Sequence, residues 1–265
     1  MSTSEEVRAA LEVLPGTTGF YARNLTTHEV VESNADALLP TESAIKVLIL
    51  LHYSRMVTSG AVDPDRRVAL SEDFRNINGT GVLRYLASGL NLRLDDLAWL
   101  MTIVSDNVAT ALLMLEIGGP EAVNATASEL GISGARLSSF DELIEGAPFG
   151  RATAHDLAEA FTHLGPDARE KLARQQDLSG LPRRLPYTPY NAEVGLPTPV
   201  RVFNKTGVGP GNYIDAGLFE TDNAAWVIAA LASGQAPLTS RPDDPAPASF
   251  GRVGLAIYNA WGTGM

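Results

Sequence analysis

The sequence predicts an α/β protein of two lobes, with an antiparallel sheet flanked by terminal helices and an all-α lobe inserted into it. Three observations lead there. Strand-like alternation appears near both ends of the chain, while the roughly 150 residues between have mostly helical spacing. An isolated two-stranded hairpin is marginal in water, so the terminal strands are expected to meet in one sheet. The expected division is a single domain over 1–265, with an α/β lobe from 1–40 and 199–265 and the all-α lobe from 41–198.

The elements follow in order. Val7, Ala10, Leu11 and Leu14 give the first helix its apolar stripe, and Pro15-Gly16 stops it. "TTGFYARNL" and "EVVESNA" alternate as strands around a "TTH" turn. A helix from about Ser43 to Thr58 is apolar nearly all round, which marks it as interior. "DDLAWLMTIV", "NVATALLMLEIG", "PEAVNATASELG" and "AHDLAEAFTHLG" repeat every 3.6 residues with Gly or Pro between them. The connection "LPYTPYNAEVGLPTP" is expected to be a linker, or a lip over a cleft. "VRVFNKTG", "YIDAGLFET" and "AAWVIAALA" are three strands, "RPDDPAPAS" a loop and "FGRVGLAIYNAW" a closing helix.

Composition narrows the function. Apolar residues make up 45% and charged residues 19%, as in a soluble globular protein. No apolar run is long enough to span a bilayer, and the acidic start "MSTSEEVRAALEVL" is unlike a signal peptide, so the expected location is cytoplasmic. With no cysteine there is no disulfide, thiolate metal site or cysteine nucleophile. His28, His52, His155 and His163 lack metal-ligand spacing, so neither metal nor cofactor is expected. A net charge of −11 argues against nucleic acid and anionic membranes, leaving a small-molecule partner and a monomer as the expectation.

The basic residues are more pointed. Of 20, only Lys46, Lys171 and Lys205 are lysine. Arginine is effectively never deprotonated, whereas a desolvated lysine loses its proton and becomes a base. Ser43 and Lys46 lie three apart, one helical turn, which suits a serine nucleophile with an amine base. Glu42 and Lys46 lie four apart, the spacing of an ordinary helical ion pair capped by Thr41 or Ser43. The stretch alone leaves both readings open.

Two distant motifs bear on that choice. "SDN" (Ser105, Asp106, Asn107) falls between two helices, and "KTG" (Lys205, Thr206, Gly207) ends a strand. By composition, S-x-x-K, S-D-N and K-T-G are expected about 0.2, 0.04 and 0.02 times, so all three together come to on the order of 10⁻⁴. The chemistry is coherent. Lys205 opposite Lys46 depresses its pKa by like-charge repulsion, and desolvation acts the same way. A helix N-terminus at Ser43 and the N–H of Val208 would form an oxyanion hole. Ser105 would relay a proton, and Asn107 would bind a substrate amide.

In this order the three motifs resemble class A β-lactamases and penicillin-binding proteins. The separations, 62 residues from Ser43 to Ser105 and 100 from Ser105 to Lys205, are of class A size, and the resemblance covers nearly the whole chain. It implies a serine β-lactamase-like fold, with Ser43 acylated, Lys46 as base or relay and Ser105 as proton shuttle. It also implies carboxylate binding by Lys205 and Thr206 and a structural Asp106. The class A glutamate that activates the deacylating water belongs to an E-x-x-L-N element, where this chain has "RLSSFDELIEGAPFG". Asp141 and Glu142 are the candidates near that place, against an ordinary solvated pair. No arginine follows "KTG" in "VGPGNYIDAG" to reinforce carboxylate binding. Three readings follow: a hydrolase of an amide, lactam or ester; an intracellular acyltransferase to an amine; and a non-catalytic binding protein on the same fold. Glu42 is expected to turn away from Lys46.

Overall fold

The computed structural model describes residues 1–139, 141–142, 147–186, 191, 194–236 and 243–263. Helix α1 (Thr3–Glu12) leads into strands β1 (Thr17–Asn24) and β2 (Val30–Ser33). The helical stretch contains α2 (Lys46–Thr58), α3 (Leu94–Ile103), α4 (Asn107–Glu116), α5 (Gly119–Glu129), α6 (Ala154–Ala160) and α7 (Pro166–Leu172). The chain returns through β3 (Arg201–Gly209), β4 (Asn212–Glu220) and β5 (Ala225–Ser233), and ends in α8 (Pro245–Ile257).

The terminal strands do meet, in one antiparallel sheet of order β2-β1-β5-β4-β3. Both faces are covered, which explains the nearly unbroken apolar text of β5. Phe20, Phe219, Trp226 and Ile228 pack on the face shared with α1 and α8, while Tyr21, Leu218, Val227 and Ala229 join the core around α2 and α6. Helix α2 is buried from Lys46 through Tyr53, so it is central to the second core.

The structure departs from the sequence expectation at several places. The helix expected from Ser43 begins as a tighter 3₁₀ turn, Glu42–Ile45, and becomes α-helical at Lys46. Thr41 makes no capping bond, and its buried hydroxyl has no partner among the described residues. The expected loop "RPDDPAPAS" is helical from Pro245, because proline at the first helical positions removes no required donor. Short strands at 39–40, 135–137 and 150–152 form a second small sheet that periodicity could not reveal at that length. The connection 185–199 lies partly outside the described residues.

Lys171 accounts for one of the three lysines structurally. It is 1% exposed and bonds Asp95 at 2.9 Å and Asp167 at 2.5 Å, with its ammonium over the Trp99 ring. It thereby ties α7 to α3. Lys171→Met is expected to lower unfolding free energy by about 1–3 kcal/mol, since two carboxylates lose a buried partner but stay partly solvated. Urea denaturation midpoints of the two proteins check this.

Candidate active site

The α3–α4 junction brings "SDN" to the start of α2. Asp106 is fully buried and caps α4 by accepting from the Ala109 N–H at 2.9 Å. Its other oxygen accepts from the Val82 and Leu83 N–H groups at 2.6 and 2.9 Å, fixing the loop before α3. Ser105, just before it, has φ of 56°, a left-handed conformation that costs a non-glycine residue on the order of 1–3 kcal/mol. The Ser105 carbonyl is held by Thr80 Oγ1 at 2.8 Å and by Lys46 Nζ at 2.8 Å.

Lys46 is the centre of this arrangement. It is 2% exposed, and its Nζ also reaches Ser105 Oγ at 3.1 Å and Asn107 Oδ1 at 2.8 Å. Burial, and after it the like charge of Lys205, hold its pKa well below the ordinary lysine value. Nζ thus donates toward three oxygens, the Ser105 carbonyl, the Ser105 hydroxyl and Asn107 Oδ1, with no carboxylate in contact among the described residues. Among the described residues none of these bonds goes to Ser43, although Ser43, Ser105 and Asn107 line one cleft. The Asn107 amide is engaged at both ends, since its Nδ2 donates to the Asn78 carbonyl at 2.9 Å.

Strand β3 forms the opposite wall. Lys205 is 1% exposed and donates to the Thr206 carbonyl at 3.1 Å. Burial pulls its pKa down to about 8 against the opposing pull of Asp177 and Asp215. Asp215, paired with Thr206 across the strands, is itself fully buried and pushed up to about 7 by desolvation. Gly207 does not face the cleft. A Cβ there would lie 2.2 Å from the Thr41 carbonyl and 2.8 Å from the Ala44 N–H nitrogen, so glycine lets β3 press against the Ser43 turn. Val208 follows on the cleft wall, 48% exposed.

The cleft has a volume of about 960 Å³. Thr206 and Val208 lie on one side, and Ile77, Val104, Ala111 and Met114 among others on the other. Phe149, which no sequence signal distinguished, also lines it, with its ring centroid 5.9 Å from Lys46 Nζ. Its neighbour Gly150 accepts from the Thr41 N–H at 3.0 Å, so the small sheet carries Phe149 to the Ser43 turn.

Glu42 turns away from Lys46 as expected, and the candidates for the deacylating base lie apart from the main cleft. The Glu42–Lys46 ion pair is not made, because Glu42 Oε1 accepts from Asn212 Nδ2 at 2.8 Å while Lys46 is spent on Ser105 and Asn107. Glu142 lines a separate hollow with Arg151, where it accepts from Arg136 through both oxygens and from the Ser139 N–H, and these bonds lower its pKa to about 2. Asp141 is exposed and is not among the residues lining the main cleft. The acids that do line it, among the described residues, are Glu42 and Asp177.

A model of the beta-lactamase enzyme family matches residues 2–261. A β-lactamase from Streptomyces albus G is 27% identical over 268 residues, covering 96% of this chain and 84% of that protein. Among solved structures, a β-lactamase from Sphaerobacter thermophilus superposes with a TM-score of 0.83 at 25% identity, covering 98% of this chain and 96% of that one. A point mutant of PBP-A, solved as an acyl-enzyme complex with penicillin G, superposes with a TM-score of 0.82 at 21% identity, covering 97% and 95% of the two chains.

Asp106 carries three backbone donors, two of them on buried residues. Asp106→Ala is therefore expected to cost about 3 kcal/mol or more, and Asp106→Asn clearly less. Thermal and urea unfolding of the two variants check the order.

Proposed function

The chain belongs to the β-lactamase enzyme family, and from that premise we propose that it is a serine hydrolase acting through an acyl-enzyme on Ser43, with Lys46 as the base. The observation that carries this is the bond set of Lys46: a buried amine, faced by two pure acceptors and one hydroxyl, beside a second buried lysine.

Ser43 Oγ attacks the carbonyl carbon of an amide, lactam or ester, and its proton passes to Lys46 Nζ. The Ser105 hydroxyl gives its proton to the departing nitrogen or oxygen and recovers one from Lys46. The N–H groups of Ser43 and Val208 are the proposed oxyanion donors, Val208 standing at the strand end that Gly207 presses against the turn. Lys205 and Thr206 would orient the leaving side of the substrate, with Asn107 on its amide. Because apolar side chains dominate the far wall, the substrate of best fit carries a bulky apolar acyl group.

Release of the acyl group is the slower half. Class A chemistry uses a glutamate at the deacylating water, and neither Asp141 nor Glu142 serves that role well from the positions described above. Phe149 instead presents the face of its ring to Lys46. This favours a long-lived acyl-enzyme, and it gives weight to transfer of the acyl group to an amine as the second reading.

Intact-protein mass spectrometry after mixing with penicillins and nitrophenyl esters is expected to show a Ser43 adduct in seconds and its loss over minutes or longer. Ser43→Ala should give none, and an adduct on that variant, or no adduct with any donor, would overturn the proposal. Faster loss on adding amines would select transfer over hydrolysis.

The pH dependence has a definite sign. Acylation should rise as pH climbs through the depressed pKa of Lys46, which frees its lone pair, and decline as pH passes about 8, where Lys205 loses its charge. Lys205→Arg should move the alkaline limb upward by at least ~2 pH units, because guanidinium stays protonated. A pre-steady-state rate profile from pH 5 to 10 checks both limbs.

A further inference from the structure

The residue before the proposed nucleophile is the one that the catalytic scheme leaves unused. Glu42 has φ of 46°, so its backbone sits in the left-handed region although it has a full side chain. Its carboxylate makes no ion pair among the described residues. It accepts instead from the neutral Asn212 amide at 2.8 Å, and Asn212 Oδ1 in turn accepts from Ser233 Oγ at 2.8 Å. Asn212 opens β4 and Ser233 closes β5, and the two are partners across the strands. Asn212 also pairs with Gly209, the residue after Val208.

We propose that Glu42 is a positioning residue: its side chain, tethered through Asn212 and Ser233 to the ends of β4 and β5, holds the Ser43 turn in register with the strand end that supplies the Val208 N–H. Gly209 supports this geometry, since a Cβ there would lie 2.4 Å from Glu42 Cδ. The side chain thus passes directly over β3 to reach Asn212. Two groups that must converge on one oxygen lie on different elements, the Ser43 turn and β3. Backbone packing at Gly207 sets their separation, and the tether sets their lateral register. The proposal rests on Ser43 being the nucleophile.

The carboxylate's charge is not what the tether needs. A glutamine in its place keeps an oxygen to accept from Asn212 and removes a negative charge from the neighbourhood of a developing oxyanion. The expected order is therefore informative. In stopped-flow acylation by a neutral nitrophenyl ester, Glu42→Ala and Asn212→Ala should lower the acylation rate constant about 10–100-fold, with the apparent dissociation constant within about threefold. Glu42→Gln should stay within about threefold of the parent or exceed it, and Ser233→Ala, one bond further out, should lie between. The double variant Glu42→Ala/Asn212→Ala should be no slower than the worse single one.

An Asn212→Ala enzyme that acylates at the parent rate, or a Glu42→Gln enzyme as slow as Glu42→Ala, would overturn the tether. A uniform loss of active fraction would change burst amplitude and leave the rate constant of the remaining enzyme at the parent value, which also counts against it. Acyl uptake by Ser43→Ala would instead overturn the nucleophile assignment itself, and it is read separately by the mass of that variant.

Discussion

The arrangement depends on burying two lysine amines near each other without, among the described residues, a carboxylate in direct contact with either. Desolvation disfavours each ammonium, and the charge of Lys205 further disfavours that of Lys46. For Lys46 the fold answers with three uncharged oxygens that accept from Nζ, the Ser105 carbonyl and hydroxyl and Asn107 Oδ1, and a pKa held well below the ordinary lysine value. For Lys205 it answers with the more distant fields of Asp177 and Asp215 and a pKa near 8. The two amines are thus held in different surroundings, one among uncharged acceptors and the other in the fields of two carboxylates, although they share a residue type and a buried setting. That division requires the helical lobe and the sheet to close on each other, since Lys46 and its partners come from one and Lys205 from the other.

Closing the two parts has a backbone cost that is visible in two places. Ser105 and Glu42 both occupy left-handed conformations, and they flank the groups that the chemistry would use. Each is held from outside its own turn. The buried Asp106 carboxylate and the Thr80 hydroxyl fix the first, and the Asn212 amide fixes the second. Strain of this kind persists only where neighbouring structure over-determines it. The unpartnered Thr41 hydroxyl belongs to the same account: the 3₁₀ turn against β3 leaves that side chain without the capping role that its position suggested.

Much of this was legible in the sequence. The near-continuous apolar text of α2 announced a helix at the centre of a core, and the terminal strands had to pair because neither hairpin would stand alone. Three short motifs located the residues that converge, because lysine is rare here and its retention within two of them is informative. What stayed hidden depends on contacts at long range. The sequence supported Glu42 turning away from Lys46, but nothing near it shows that its partner is Asn212, 170 positions away. Phe149 carries no pattern at all, since its place is set by a three-residue strand pairing that is below the length at which alternation can be read.

The deacylation question turns on the same small sheet. Residues 150–152 pair with 39–40 on one side and with 135–137 on the other, so one ladder delivers both Phe149 and the approach to the Ser43 turn. Arg136 lies on the outer strand of that ladder and draws Glu142 toward it. A carboxylate whose pKa is held at about 2 is a poor general base near neutral pH, whatever its distance from the ester, because its proton affinity is too low. Giving this site an efficient hydrolytic base would therefore take two changes. A carboxylate would have to be brought to the cleft, and the arginine's hold on its proton affinity would have to be removed. Ser105 and Asn107, by contrast, are already in contact with Lys46. The ladder that packs against the Ser43 turn is thus also the one whose outer strand holds Glu142 in a hollow apart from the main cleft.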